Sequence, residues 1–341
     1  MRILCFGAGA IGSYVAGSLA LIGNPLAYVE RPAHIETLKK NGIRIQDADG
    51  RQHHLTRFDA FGSAEEAFAN REYDLIIIAV KGFSTDDVIR QLQLYGGNIP
   101  PVLSLQNGVE NEEKFAAAFG EEKVIPCSVC TAVSRGEAGS IKVAKLRGIG
   151  IADTNELCAE LVRECDEAGL KPKLMKDGTA MKWSKMISNL LSNAASAIFN
   201  MTPAEVYANP VSFDLEIRQL RETLAVMKAL NIRAVDIPGV PISLLAFAVE
   251  HLPSFITRPV LTKAVGGGRG SKMPSFYIDL HAGRKQSEVT FLNGAVSRKG
   301  HTLGIPTPVN DAYTSTLTAM ASGEIAMDAF DHAPEKLVVS Q

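Results

Sequence analysis

Apolar residues in the first half of the chain form short runs at residues 2–6, 27–29, 74–80 and 102–105. Segments with helical spacing separate the runs, as after residue 10, where Val15, Ala16, Leu19 and Ala20 share one face. The run at 74–80 is wholly apolar after its first residue, which is typical of a parallel strand covered on both faces. This alternation predicts an α/β domain with a doubly wound parallel sheet over residues 1–177.

The second half of the chain has a different pattern. From residue 178 onward helical periods dominate, which predicts an all-α domain over residues 178–330 and a tail at 331–341. We expect one long helix over residues 180–199 and a mobile loop at the glycine-rich residues 266–270. Ser275 is placed to cap a following helix, and Glu288 to open another that runs to residue 301.

A glycine motif joins the first predicted strand to the first predicted helix, with Gly7, Gly9 and Gly12 in the order Gly-x-Gly-x-x-Gly. Gly7 would allow a tight turn, Gly9 would let a pyrophosphate approach the backbone, and Gly12 would let the helix pack closely. Because the motif lies between a strand and a helix, it predicts a Rossmann-type dinucleotide site. The alternative is a glycine-rich turn without a ligand.

Glu30 and Arg31 follow the second predicted strand, where such folds bind the adenosine ribose. An acid there suits the free 2′-hydroxyl of NAD, and an arginine suits the 2′-phosphate of NADP. We favour NADP through Arg31, while Glu30 leaves NAD open.

Lys81 and Asn107 come just after the runs at 74–80 and 102–105. Ligands of open α/β sheets bind at the carboxyl ends of the strands, so both side chains are candidates to contact cofactor or substrate. A solvated lysine and an ordinary Asn-Gly turn are the alternatives.

Lys185, Asn189 and Asn193 are spaced four residues apart within the predicted helix 180–199. This spacing places them on one helix face. A lysine with two asparagines, on a helix otherwise rich in Ile and Leu, predicts a polar strip that lines a cleft. A polar outer face is the alternative.

The formal net charge of −2 over 341 residues favours neither nucleic acid nor a membrane surface as a partner. No apolar run is long enough to span a bilayer, and we expect a cytoplasmic protein. Five cysteines and no export signal argue against a disulfide framework. Cys127 and Cys130 have CxxC spacing but lie on a predicted strand, where they would face opposite sides; we expect core positions and no metal site.

Motifs along nearly the whole chain together resemble those of the ketopantoate reductases (2-dehydropantoate 2-reductases), within the 6-phosphogluconate-dehydrogenase-like superfamily. They are Gly7-x-Gly9-x-x-Gly12, Arg31, Ala79-Val80-Lys81, Gln106-Asn107-Gly108, Trp183-x-Lys185-x-x-x-Asn189-x-x-x-Asn193, Ser275 with Asp279, Glu288 with Asn293-Gly294, and Gly304-Ile305-Pro306-Thr307-Pro308. The resemblance implies NADPH-dependent reduction of 2-dehydropantoate to pantoate, a step toward pantothenate and coenzyme A, and it is compatible with a homodimer.

The resemblance also implies roles for individual residues. Lys185 would be the general acid for the ketone oxygen, and Glu288 would bind the product hydroxyl. The substrate would be held by Lys81, Asn107, Asn189, Asn193 and Ser275. The cofactor would be contacted by Gly7, Gly9, Ala10, Ile11, Gly12, Glu30, Arg31, Lys81, Asn107 and Glu288.

The sequence departs from the family pattern in three places. Glu30 stands where many members have a small or apolar residue, a histidine common in a late β segment is absent near residues 139–143, and there is extra sequence around 233–272. Another small 2-keto or 2-hydroxy acid therefore stays open as the substrate. A non-catalytic NADP-binding sensor is a further alternative, which the presence of both Lys185 and Glu288 disfavours.

Overall fold

The computed structural model describes residues 1–136, 139–269 and 272–339. The chain divides into two compact units, Met1–Lys182 with Ile237–Val240 and Trp183–Asp236 with Pro241–Gln341. The first unit is Rossmann-like and the second is helical, as the sequence predicted. The division between them falls inside one helix.

The strands lie in the first unit. Those described are β1 (Ile3–Phe6), β2 (Leu26–Val29), β3 (Ile43–Gln46), β4 (Gln52–Leu55), β5 (Asp59–Phe61), β6 (Leu75–Ile78), β7 (Val102–Ser104), β8 (Val124–Val129), β9 (Ala132–Arg135), β10 (Ser140–Lys145), β11 (Ile149–Ala152) and β12 (Pro172–Met175).

The helices of the first unit are α1 (Ala10–Leu21), α2 (Pro32–Asn41), α3 (Ala64–Asn70), α4 (Thr85–Tyr95), α5 (Asn111–Phe119) and α6 (Leu157–Glu167), and α7 (Gly178–Leu190) leads into the second unit. The second unit continues with α8 (Asn193–Phe199), α9 (Pro203–Ala208), α10 (Pro210–Ala229), α11 (Ile242–His251), α12 (Ser254–Arg269), α13 (Ser275–His281), α14 (Asn293–Leu303) and α15 (Pro308–Ser322).

Eight of the described strands form one sheet in the order β12-β11-β8-β7-β6-β1-β2-β5. Strand β1 pairs in parallel with β2 and β6 at its centre. The predicted parallel pairing is found between the other neighbouring strands of this sheet, but β11 runs antiparallel to β8. Strand β11 returns directly from the second sheet, without the crossover helix that a parallel neighbour requires.

Apolar cores cover both faces of this sheet. Ile3 and Cys5 of β1 belong to one buried cluster, whereas Leu4 and Phe6 belong to another, and β6 divides in the same way. Successive side chains of a strand point to opposite faces, so a strand buried on both sides must be apolar throughout. This explains why the central strands could be recognised from the sequence.

A second sheet, which the sequence pattern did not predict, has the order β4-β3-β10-β9. After β3 and β4, the chain enters this sheet a second time after Thr131 and leaves it before Gly148. At this crossing the Thr131 hydroxyl accepts hydrogen bonds from the backbone N–H groups of Arg147 and Gly148 at 3.2 and 3.0 Å. Strands β8 and β9, and likewise β10 and β11, are close neighbours in sequence but belong to different sheets.

The second unit differs from the sequence-based expectations in two places. Residues 266–269, expected as part of a mobile loop, belong to helix α12, which as a whole packs against α9. Gly270 lies outside the described residues. In the segment 331–341 a 3-10 turn forms at Pro334–Lys336, and the His332 N–H donates to the Phe199 carbonyl at 2.8 Å. Among the described residues, none of the helices combines the length and apolar character that crossing a bilayer requires.

All five cysteines are buried free thiols. Burial raises the pKa of Cys5 and Cys127 well above the usual thiol value, and that of Cys165 to about 12. The Cys158 thiol donates to the Ala152 carbonyl at 3.1 Å. Since the thiolate is the reactive form, these side chains are suited to packing rather than to redox chemistry.

We therefore expect the native protein to resist a thiol-specific reagent such as an aromatic disulfide. All five thiols should react at once after unfolding in guanidinium, which provides the matched control. The measurement is the absorbance of the released aromatic thiolate against time. Rapid labelling of even one thiol in the native state would contradict the burial described here.

Candidate active site

In the turn after β1, the fold requires glycine at positions 7 and 12 but not at position 9. Gly7 has a φ of +95°, which favours glycine. A Cβ at Gly12 would stand 2.0 Å from the Gly7 carbonyl oxygen, so that position admits no side chain. Among the described residues, a Cβ at Gly9 would meet only the Arg135 guanidinium, at 3.5 Å, and the φ of Gly9 is an ordinary −74°. Glycine at position 9 therefore leaves space that the described residues do not fill.

This turn fits a dinucleotide phosphate. Gly9 is the N-cap of α1 and has no side chain with which to cap the backbone N–H groups, and no acid lies in the first turn. Unpaired N–H groups at a helix N-terminus attract anions. Ala10 and Ile11 open this helix and are half-buried. The space over Gly9 is thus a cradle that the pyrophosphate of a dinucleotide would fill.

A cleft of about 250 Å³ opens beside Gly9. Its lining includes Ser13, Thr37, His34 and Arg135. The Arg135 side chain is exposed, and the described part of the chain offers it no ion pair. The sequence analysis missed both His34 and Arg135. Arg135 could not have been found, because it reaches Gly9 from the second sheet.

Glu30 and Arg31 occupy the end of β2 and the N-cap of α2. The Glu30 carboxylate accepts the backbone N–H of Arg31 at 2.7 Å and lies 3.4 Å from the His34 ring nitrogen Nδ1. This side chain is only 12% exposed, whereas Arg31 is exposed. The acid is therefore engaged at the start of α2, and the guanidinium faces solvent.

Lys81 and Asn107 lie at the same edge of the sheet, because β6 and β7 are parallel neighbours. Lys81 is the half-buried N-cap of a 3-10 helix, and Asn107 is exposed. The Gln106 amide links the two strand ends, since its nitrogen donates to the Val80 carbonyl at 3.2 Å and to the Thr85 hydroxyl at 2.9 Å.

A buried ion pair contacts the backbone immediately before Asn107. The ammonium of Lys182, which is 5% exposed, contacts Glu112 Oε1 at 2.8 Å and donates to the carbonyls of Gln106 and Cys127. Ser104 also donates to Glu112, at 2.7 Å. The sequence analysis missed Lys182. The available signal was its register, because residues 182, 186 and 190 follow one helix face and the other two are buried apolar residues.

In the second unit, the long helix predicted over residues 180–199 is in fact two helices. Helix α7 ends at Leu190 and α8 begins at Asn193. Between them Ser192 adopts a φ of +53°, and its N–H donates to the buried Glu216 carboxylate at 2.6 Å rather than continuing the helix. Lys185 and Asn189 are half-buried on α7, but Asn193 does not share a continuous helix face with them.

Asn193 and Ser275 come together. The Asn193 amide contacts the Ser275 hydroxyl at 3.4 Å, and its oxygen accepts the Phe276 N–H at 3.1 Å, at the start of α13. Ser275 is thus the first residue of the helix rather than its cap.

Glu288 is 7% exposed and begins a short 3-10 helix at Glu288–Phe291. The single helix expected from Glu288 to residue 301 was wrong, because Leu292, with φ −107° and ψ −87°, separates this turn from α14. At the start of α14 the buried Asn293 amide donates to Gln219 and Asn310, each at 3.0 Å.

Sequence models of the ketopantoate reductase PanE/ApbA family match this chain twice. The first matches residues 3–156 and the C-terminal one matches residues 177–321. The chain belongs to the ketopantoate reductase family. The match covers both units, and the chain is accordingly an oxidoreductase of the ketopantoate reductase type.

Similar proteins extend over nearly the whole chain. A 2-dehydropantoate 2-reductase of Pyrococcus horikoshii is 28% identical over 317 residues, which are 91% of this chain and 94% of the relative. One of Mesorhizobium japonicum is 27% identical and covers 94% and 98%. Among solved structures, a PanE/ApbA family ketopantoate reductase from Ralstonia eutropha has a TM-score of 0.81 at 23% identity, covering 95% and 99%. D-mandelate dehydrogenase with NADH and anilino(oxo)acetate has a TM-score of 0.77 at 21% identity, with the same coverage. The two structures support the fold.

Because the fold leaves room for a Cβ at Gly9 but not at Gly12, we expect alanine substitutions at the two positions to have different effects. Gly9→Ala should leave thermal unfolding unchanged but weaken binding of a reduced nicotinamide dinucleotide, because the methyl group enters the space over the turn. A clash of about 1–3 kcal/mol corresponds to roughly five- to a hundredfold in the dissociation constant. Cofactor fluorescence measures the binding.

Gly12→Ala is the matched comparison. It should lower the unfolding temperature, since its methyl group would collide with the Gly7 carbonyl oxygen. If Gly9→Ala bound cofactor as tightly as the unmodified protein, the space over Gly9 would not be the pyrophosphate site.

Proposed function

We propose that this chain reduces 2-dehydropantoate to pantoate with NADPH, and that Lys185 is the general acid. The observation that carries the proposal is the match of ketopantoate reductase models to residues 3–156 and 177–321. Full-length relatives named 2-dehydropantoate 2-reductase support the substrate. The uncapped glycine turn supports a dinucleotide cofactor.

Residues of the second unit would stabilise the negative charge that develops during the reaction. A bound nicotinamide supplies the hydride, and negative charge grows on the ketone oxygen of the substrate. We assign the Lys185 ammonium to stabilise this oxygen and to protonate it as the hydroxyl forms. Glu288 would accept a hydrogen bond from that hydroxyl. Asn189, Asn193 and Ser275 would orient the rest of the keto acid.

The preference for NADPH rests on the end of β2. A 2′-phosphate suits an arginine, which can donate two parallel hydrogen bonds to it. Arg31 is exposed, whereas the neighbouring Glu30 carboxylate is engaged by the Arg31 N–H and lies beside His34. His34 and Arg135 add two basic side chains to the adjoining cleft. These contacts favour a phosphate over the free ribose hydroxyl of NAD.

A second candidate substrate is another small 2-keto acid. D-mandelate dehydrogenase, whose substrate is named as a 2-hydroxy acid, shares this fold and was solved with NADH. Incubating the protein with NADPH or NADH and a panel of 2-keto acids, and following the loss of nicotinamide absorbance, distinguishes these possibilities. Fastest turnover with 2-dehydropantoate and NADPH is the expected result.

Lys185→Ala should reduce kcat by roughly 10²–10⁴-fold, the range for loss of a general acid. Lys228→Ala, which removes an exposed lysine from α10 in the same unit, should leave kcat unchanged and serves as the control. Steady-state kinetics at saturating substrate measure both. Undiminished kcat in Lys185→Ala would remove this side chain from proton transfer.

Arg31→Ala should weaken NADPH binding by roughly ten- to a hundredfold, since a hydrogen bond to a charged group contributes about 1.5–3 kcal/mol. NADH binding should change little, because NADH lacks the 2′-phosphate. Fluorescence titration of each dinucleotide provides the dissociation constants. An equal loss for both dinucleotides would argue that Arg31 does not recognise the phosphate.

A further inference from the structure

We propose that Lys182 is a positioning residue: its buried ammonium fixes the peptide between Gln106 and Asn107, and so orients Asn107 for cofactor and substrate. The inference rests on the proposed role of Asn107. Lys182 lies outside the motifs that were recognised in the sequence.

The described surroundings of Lys182 supply one oxygen acceptor for each of its N–H donors. The ammonium has three N–H donors. It has three oxygen neighbours, Glu112 Oε1 at 2.8 Å, the Cys127 carbonyl at 3.4 Å and the Gln106 carbonyl. Burial of an ammonium is costly unless it is paired and hydrogen-bonded. Lys182 therefore has one well-defined position, and the Gln106 carbonyl is held with it.

Holding the Gln106 carbonyl also determines the direction of the next residue. A trans peptide is planar, so its N–H points opposite to its C=O. The contact from Lys182 thus fixes both the N–H of Asn107 and the plane from which its Cα departs. On the other side, the Asn107 carbonyl accepts a hydrogen bond from the Asn111 amide at 2.9 Å. Two successive carbonyls are held, while the Asn107 side chain remains exposed.

The remaining contacts brace the same loop. The Thr85 hydroxyl accepts from the Gln106 amide and donates to Asn111, both at 2.9 Å. Glu112, next to Asn111, is held by Ser104 at the end of β7. These contacts join the segment that carries Asn107 to the start of α4 and to the start of α5. A binding residue on such a braced segment needs little reordering when its ligand arrives.

The ion pair is a poor device for stability alone. Glu112 Oε2 is buried, and the described residues give it no hydrogen-bond partner. Replacing a buried pair of this kind with apolar side chains is often neutral or stabilising. A purely structural role would thus be served as well by two apolar residues. What they would not supply is a donor for the Gln106 carbonyl.

The test is a double-mutant cycle between the ion pair and Asn107. Lys182→Met alone leaves Glu112 buried without its partner and threatens folding, so it is combined with Glu112→Gln, a change of similar volume. We expect the Lys182→Met/Glu112→Gln protein to fold, to bind NADPH more weakly and to lose about ten- to a hundredfold in kcat/KM, because misplacement by about 1 Å costs that much.

The decisive measurement adds Asn107→Ala to this background. If Lys182 acts through Asn107, Asn107→Ala should cause a large loss in the unmodified protein and almost none in the Lys182→Met/Glu112→Gln protein. Multiplicative losses, or unchanged binding and turnover in the Lys182→Met/Glu112→Gln protein, would overturn the proposal. A control is Lys114→Met, which breaks the exposed pair of α5 with Asp86 and should change neither quantity.

The cycle is measured first on the dissociation constant of NADPH and then on kcat/KM. If no keto acid is turned over, the proposed function fails, but coupling in the dissociation constant still tests Lys182. If turnover is present and the two changes are independent, the inference fails and the proposed function stands.

Discussion

The Gly7 carbonyl oxygen occupies the space where a side chain at residue 12 would stand, and the first unit is organised around that contact. It lets α1 start immediately after β1, which is paired on both edges with parallel strands. Helix α1 also packs against both sheets, contacting β1, β2 and β6 of one and β3, β9 and β10 of the other. The same contact therefore sets the position of the glycine turn and the approach of the second sheet, which brings Arg135 to Gly9.

Buried ionisable groups support predicted site residues in both units. In the first unit Lys182 holds the carbonyl that precedes Asn107, and in the second Glu216 accepts the N–H that precedes Asn193. Glu216 is fully buried and also accepts from Tyr207 and Gln219 at 3.3 and 2.7 Å. In each case a buried ionisable side chain holds the backbone one residue before an asparagine. Such an arrangement costs desolvation energy, which well-made hydrogen bonds offset.

The structural features that could be predicted from the sequence are those that produce a pattern among neighbouring residues. Strand β6 is apolar throughout because two cores cover it, and the spacing of Gly7 and Gly12 reflects a turn only six residues long. The missed features depend on residues far apart in sequence. The break at Ser192 needs Glu216, and the tie at Gln106 needs Lys182, 76 residues later. Local periodicity predicts a continuous helix across Ser192, since the competing acceptor is not local.

Some residues around the glycine turn are required by the geometry of the fold. The identity of others has no such structural cause and is accounted for by a bound ligand. Gly12 is dictated by a backbone oxygen and Gly7 by its φ angle, so their presence would be expected even in a turn without a cofactor. Gly9 has neither constraint, and the exposed Arg31 lacks an ion pair within the described part of the chain. Arg135, which lies beside Gly9, also has no ion pair among the described residues. Gly9 and Arg135 lie together at the N-terminus of α1, and Arg31 lies at the N-terminus of α2. Neither arginine has an ion pair among the described residues, and phosphate is a ligand that all three positions suit. The case for a dinucleotide therefore rests most firmly on the residues that packing does not require.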